Sequence, residues 1–219
     1  MTPAMETFAS ILGTLAAGAV TALQVAVGAF VIASLLGLGL AVLRVFSRNQ
    51  LLQLGLAAYI EWMRNVPALA HLFLLYFGLA TVGVRLSPLL AAVVGLGLVG
   101  AAVLCDVFAA GLKSLHVGQR EAALAVGLTP GQTLRHVLVP QMFRATFPSL
   151  ANYTTALIKD TSIASAIAAP EIMFYARNLV TSTFETTLIY LAAMLLYAAM
   201  VLPVAWGFKR VERTMEKAR

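Results

Sequence analysis

No charged side chain interrupts the chain from Thr7 to Leu43, a run of 37 residues. Wound as an α-helix this run would be roughly 55 Å long, whereas one bilayer crossing takes about 20 residues. An uncharged rod of that length is a membrane element, and the run must hold a span and something besides. The rest of the 219 residues agree, because 61% are hydrophobic and only 11% charged, where soluble domains carry about a quarter.

Met5, Phe8, Leu12 and Leu15 recur at helical spacing with Glu6, Ser10 and Thr14 off that face. This predicts an N-terminal amphipathic helix on the membrane surface, followed by a first crossing over 18–43. The basic n-region of a signal peptide is missing ahead of the apolar core, so a cleaved leader is not expected. Further crossings are expected over 51–79, 88–112, 147–168 and 186–208. The second has two readings. It is one helix bent at Pro67, or a span over 66–84 preceded by an interfacial segment.

The connections set the orientation. Eleven Lys and Arg fall on one side: Arg44 and Arg48; Lys113, Arg120, Arg135 and Arg144; Lys209, Arg210, Arg213, Lys217 and Arg219. The other side receives Arg85 and Arg177, so the first side is expected in the cytoplasm. The expected fold is a single all-α integral membrane domain over 1–219. It has five transmembrane helices, the N-terminus outside, the C-terminus cytoplasmic, and a cytoplasmic helical loop over 113–144. The pI near 9.8 belongs to this asymmetry and not to nucleic acid, because the basic residues sit between apolar runs and not among aromatics on one surface. Cys105, the one cysteine, reads as a small buried hydrophobe, and Trp62 and Trp206 as interfacial anchors.

The loop is patterned. Gly118, Gln119 and Arg120 lead into a short run of helix formers, Glu121 to Val126, after which Gly127 suits a left-handed C-terminal cap. Thr129 and Pro130 make an N-cap and first-turn pair for a second helix, which Pro140 is expected to end. Ala122, Ala123 and Ala125 leave the first helix slim enough for close approach by another surface. Composition alone equally permits an interfacial hairpin that merely connects two spans.

The spacing Glu121-Ala122-Ala123, three residues, Gly127, nine residues, then Val137, Val139 and Pro140, resembles the EAA loop of ABC importer permeases. Three further segments resemble the polar amino acid uptake branch of that family: Tyr59 to Pro67, Gly118 to Ala123, and Lys159 to Ser162. Departures from the family pattern are Asn65 and Val66 for Gly-Thr, His71 for Gln, Asp106 for Glu, and Ala109 for Arg. The resemblance implies a multi-pass subunit of the bacterial inner membrane whose first loop helix couples to a cytoplasmic ATPase dimer. It also implies a second permease subunit, identical or related, and an extracytoplasmic amino-acid-binding protein. ATP and Mg are expected on the ATPase and no cofactor or metal on this chain, which has no Gly-x-x-x-x-Gly-Lys-Ser/Thr phosphate loop.

Charges within apolar runs mark the remaining candidates, since an ionised group at mid-bilayer costs about 2.5–3.5 kcal/mol on insertion scales. Lys159 and Asp160 lie roughly 22–24 Å of helix beyond Arg144. Asn152, Thr155, Lys159 and Ser162 recur at spacings of three and four, forming a polar stripe to which Asp160 and Thr161 are adjacent. The stripe lines a substrate path or serves interhelical hydrogen bonding. Arg64 and Asp106 are a second set, a gate if they pair, although Arg64 can also snorkel to the interface. His71 reads as a hydrogen-bonded structural histidine. The competing function is a secondary transporter driven by an ion gradient through Lys159 and Asp160, which the lack of visible internal repeats disfavours.

Overall fold

The computed structural model describes the backbone over residues 3–217 and the side chains over residues 8–215. It is all-helical. The order is α1 (Pro3–Phe46), α2 (Gln50–Asn65), α3 (Ala68–Thr81), α4 (Pro88–Ser114), α5 (Val117–Ala125), α6 (130–160), α7 (Ile172–Thr183) and α8 (Thr186–Lys217).

The expected division of the N-terminal run into a surface helix and a crossing is corrected. α1 is one unbroken helix of 44 residues. No proline interrupts it between Phe8 and Leu43, and its first turns are held by packing. Ile11 and Leu15 are buried against Ile172 and Ala176 of α7 and Ile189 and Ala192 of α8. The side chains of Met5 and Glu6, which the amphipathic reading also used, lie outside the described residues. Gly18 permits the close approach here, because a Cβ at that position would fall 2.5 Å from the backbone nitrogen of Ile172.

α1 and α4 form the central pair, and small residues bring their backbones together. A Cβ on Gly37 would lie 2.9 Å from the Cβ of Leu104, one on Gly97 2.8 Å from that of Ile32, and one on Gly100 2.9 Å from that of Ala33. Ser87 caps α4 by accepting a hydrogen bond from the Leu90 amide at 3.2 Å, and Pro88 occupies the first turn, where its missing N–H costs nothing.

Between these two helices the chain breaks sharply. Asn49 caps α2, accepting from the amides of Leu51 and Leu52. Val66, ahead of Pro67, takes an extended conformation, and α2 and α3 then meet at 103°. The break is a corner and not a gentle bend in one helix.

α6 corrects a second expectation, since Pro140 does not end the loop's second helix. Thr129 and Gln132 form a reciprocal capping box, and from Pro130 the helix runs through a wider π turn at Leu134–Leu138 into Val139–Asp160. Proline cannot donate to the carbonyl four residues back and its ring collides with that group. The wide turn immediately before Pro140 absorbs the conflict. The loop helix and the expected fourth crossing are thus one rod, which tightens into a 3-10 turn at Thr161–Ile167 and stops at Ala168 in the left-handed conformation. α8 likewise passes its expected end at residue 208, with Pro203 inside it.

Among the described residues three helices are long and apolar enough to cross a membrane: Phe8–Phe46, Pro88–Ser114 and Thr186–Met215. The corner of α2 and α3 makes a fourth if it counts as one span.

Gly18→Ala is expected to destabilise the protein by about 1–3 kcal/mol through overpacking against rigid backbone. Gly39→Ala, with nothing within 4 Å of its added methyl, is expected to be neutral or slightly stabilising. Thermal unfolding of the two variants in one detergent checks the difference.

Candidate functional site

Three groups of side chains stand out from the scaffold, and they lie at different heights along α4 and α6.

The lowest is the tip formed by α5 and the start of α6. His116 accepts from the Gly118 amide to begin α5, and Gly127, at φ +86°, ends it. The amide of Leu128 donates to the carbonyl of Ala123 and that of Gly127 to the carbonyl of Leu124, the paired bonds of a Schellman cap. Gln119, Arg120, Glu121 and Ala122 are exposed, as are Gly127 and Pro140, while Gly118 is half-buried. Ala123 is corrected. It is 5% exposed and packs inside the hairpin, because at about 100° per residue it falls opposite Glu121 and Ala125. The outward surface instead carries Ala122, Ala125, Val117 and Val126, the last 78% exposed. The tip is tied to the end of α1. The Arg120 guanidinium lies 5.5 Å from the centre of the Phe46 ring, and both residues line a cleft of about 500 Å³ between α1 and the loop. Gln141 of α6 donates to the side-chain oxygen of Gln119 at 3.2 Å. Neither Phe46 nor Gln141 is marked by any spacing in the sequence.

One helix length inward sits Asp106 of α4. The expected pairing with Arg64 is present, and Arg44 joins it: each guanidinium donates to a different oxygen of the one carboxylate. Arg44 was counted only as a connection charge, yet it lies in the last turn of α1. Three helices, α1, α2 and α4, are thereby tied at one point, and all three side chains are partly exposed. Gln53 also ties the start of α2 to α1, donating to the carbonyls of Leu43, Arg44 and Ser47 at the end of α1. Beside Asp106 a cleft of about 460 Å³ opens between α4 and α6, lined by Gly111, Ser114, Thr146 and Ser149 among others.

The polar stripe starts about 5 Å further along α6 than Ser149, at Asn152, and its charges, Lys159 and Asp160, lie roughly 15 Å beyond Ser149. Asn152, Lys159 and Asp160 are exposed, and Thr155 and Ser162 are half-buried. The hydroxyls are already engaged, Thr155 donating to the carbonyl of Asn152 at 2.9 Å and Ser162 to that of Lys159 at 2.8 Å. Thr161 is corrected. It is fully buried and donates to the carbonyl of Ile158 at 2.7 Å, so it belongs to the helix turn and not to the exposed stripe. Lys159 and Asp160 form no ion pair among the described residues.

Two buried groups complete the inventory. His71 is 7% exposed and, against expectation, neither ring nitrogen has a hydrogen-bond partner among the described residues. Glu171 is fully buried; its carboxylate caps α7, accepting from the Phe174 amide at 2.8 Å and from the hydroxyl of Tyr197. Its signal in the sequence is local, a Pro-Glu step just before a helical run. No group of three metal-ligating side chains occurs among the described residues.

A family model described as "Binding-protein-dependent transport system inner membrane component" matches residues 33–217. The chain is 33% identical over 183 residues to the "Probable glutamine ABC transporter permease protein GlnM" of Bacillus subtilis, with 84% of each chain covered. It is 30% identical over 189 residues to the "L-cystine transport system permease protein TcyL" of the same organism, covering 83% of this chain and 79% of that one. In structure it is similar to a chain of "an amino acid ABC transporter with histidines", with a TM-score of 0.83, 26% identity, and 96% and 97% of the two chains covered.

Asp106→Asn is expected to lower thermal stability by about 1 kcal/mol, because two guanidiniums then face each other without a shared counter-charge. Arg64→Gln is expected to cost stability in the unaltered protein and to restore part of it in the Asp106→Asn background. A double-mutant cycle read by thermal unfolding checks the change of sign.

Proposed function

The chain belongs to the binding-protein-dependent transport system inner membrane components and is a multi-pass permease subunit of an ABC amino-acid importer, and from that premise we propose how its parts divide the work. A binding-protein-dependent ABC system works with an ATPase and a binding protein. The proposal is that α5 is the element on which a cytoplasmic ATPase dimer, carrying ATP and Mg, acts. Supporting it is the exposed face of Glu121, Ala122, Ala125 and Val126 at the tip of a capped, rigid hairpin.

The rest follows the rod. α5 packs on the start of α6, and α6 runs unbroken past the cleft beside Asp106 to Lys159. Closure of the ATPases would draw two coupling helices together and tilt α6 with them, alternating access to a path along its polar face. The chain forms half of that path and a second permease subunit, identical or related, forms the other. Five crossings are proposed, with α6 the crossing whose polar stripe keeps it below the apolarity of the other spans. The N-terminus is then outside and the C-terminus in the cytoplasm.

The cargo proposed is a polar amino acid, in keeping with relatives named for glutamine and L-cystine. Lys159 would receive its carboxylate, with Asp160 near the ammonium and Asn152, Thr155 and Ser162 shaping the passage. The triad of Arg44, Arg64 and Asp106 would close the cytoplasmic end, its two ion pairs opening when α4 and α2 part.

Vesicles holding the reconstituted transporter, supplied with binding protein and ATP in turn, test this reading. Glu121→Lys and Gly127→Asp are expected to release the ATPase on purification. Lys159→Ala is expected to keep the complex assembled and to lower uptake by roughly tenfold or more, the loss of one charged hydrogen bond. Full uptake by assembled Lys159→Ala complexes would remove that residue from the path.

A further inference from the structure

α8 carries a stripe that the transport reading leaves unused. At about 100° per residue, Leu195, Leu202, Trp206, Lys209, Arg210 and Arg213 fall within about 100° of arc on one side of the helix. All six are exposed, Leu202 66% and Trp206 64%. The opposite side is occupied, with Ile189 and Ala193 buried against α1 and α7, and Phe208 packed on Phe147 of α6 at 5.5 Å between ring centres.

The stripe changes character along its length. Trp206 lies 20 residues after Thr186, roughly 30 Å of helix and about one hydrocarbon thickness, which sets its indole at the far boundary of the bilayer. Below it the stripe is leucine. Above it Lys209, Arg210 and Arg213 rise a further ~5–10 Å, into the headgroup layer. With Trp206 they line a shallow cleft of about 470 Å³, and Arg210 sits over the indole at 5.4 Å from its centre. None of the three pairs with a carboxylate among the described residues, and Glu212 points off the stripe.

We propose that this cleft binds the phosphate headgroup of an anionic phospholipid, with the acyl chains on Leu202 and Leu195. Three cations gathered on about one turn and a half, none of them paired with a carboxylate among the described residues, supply the charge complement. The apolar track leading into them selects a phosphate that arrives on a lipid and not one in solution. The Trp206 ring marks the glycerol level and holds Arg210 over the headgroup.

Quenching of Trp206 by brominated lipid tests the site in the assembled transporter, read as the difference between that complex and its Trp206→Phe variant. In phosphatidylcholine bilayers, a minor fraction of dibrominated phosphatidylglycerol is expected to quench roughly threefold or more above an equal fraction of dibrominated phosphatidylcholine. Lys209→Gln with Arg213→Gln is expected to bring the two lipids level, and Lys113→Gln, on another helix, to leave the preference intact. Equal quenching in the unaltered complex, or a preference that survives the double variant, would overturn the proposal. So would a Trp206 beyond reach of either lipid, which would mean that another protein surface covers the stripe. A preference abolished by inorganic phosphate in the medium would assign the cleft to a free anion and overturn its reading as a lipid site.

Discussion

The near-contact of two backbones, those of α1 and α4, is the constraint from which the rest of the structure hangs. Lipid gives helices no hydrophobic reason to associate, since hydrocarbon tails are as apolar as leucine. What remains is close packing, and small residues provide it: Gly28, Gly37, Gly97 and Gly100 each leave room for a side chain or backbone of the facing helix. Once these two rods are fixed, α3 lies against α4 and the 3-10 turn, α6 lies against α4, and α7 and α8 close over the start of α1. Asp106 is on α4 and Arg44 on α1, so the ion-pair cluster depends on the same approach.

Much of this was legible in the sequence, and the failures have particular causes. The long apolar runs gave the helices, the family was legible through the resemblance of the Glu-Ala-Ala spacing to a known loop, and Gly127 was legible as a cap because a positive-φ position is one that glycine meets well. Arg64 and Asp106 were legible as a candidate pair, with a snorkelling Arg64 as the alternative, and the fold pairs them. Arg44 escaped because a residue counted toward orientation looked spent, although the last turn of a helix still faces its neighbours. Pro140 misled because proline rules assume regular α geometry, and the wide turn before it changes the geometry. Ala123 and Thr161 were grouped by type and proximity in sequence, while burial separated them from their neighbours by angle around the helix.

The same comparison explains why buried polar groups were read least well. Glu171 is satisfied by the backbone amide of Phe174, three residues on, and by Tyr197, far along in sequence. Such partnerships are created by the fold. His71 is their converse, a buried histidine of α3, the helix packed on α4 and the 3-10 turn, whose ring nitrogens have no partner among the described residues.

The π turn at Leu134–Leu138 has an effect well beyond the proline it accommodates. A residue added inside a helix barely alters its reach, but it swings everything downstream by about 100° of azimuth. The compass bearing of Asn152 and Lys159 about the rod is therefore written near its foot, some four to seven turns away. Insertions and deletions in that short window act as a rotary setting, choosing which wall of the bundle receives the polar track while leaving every span the same length.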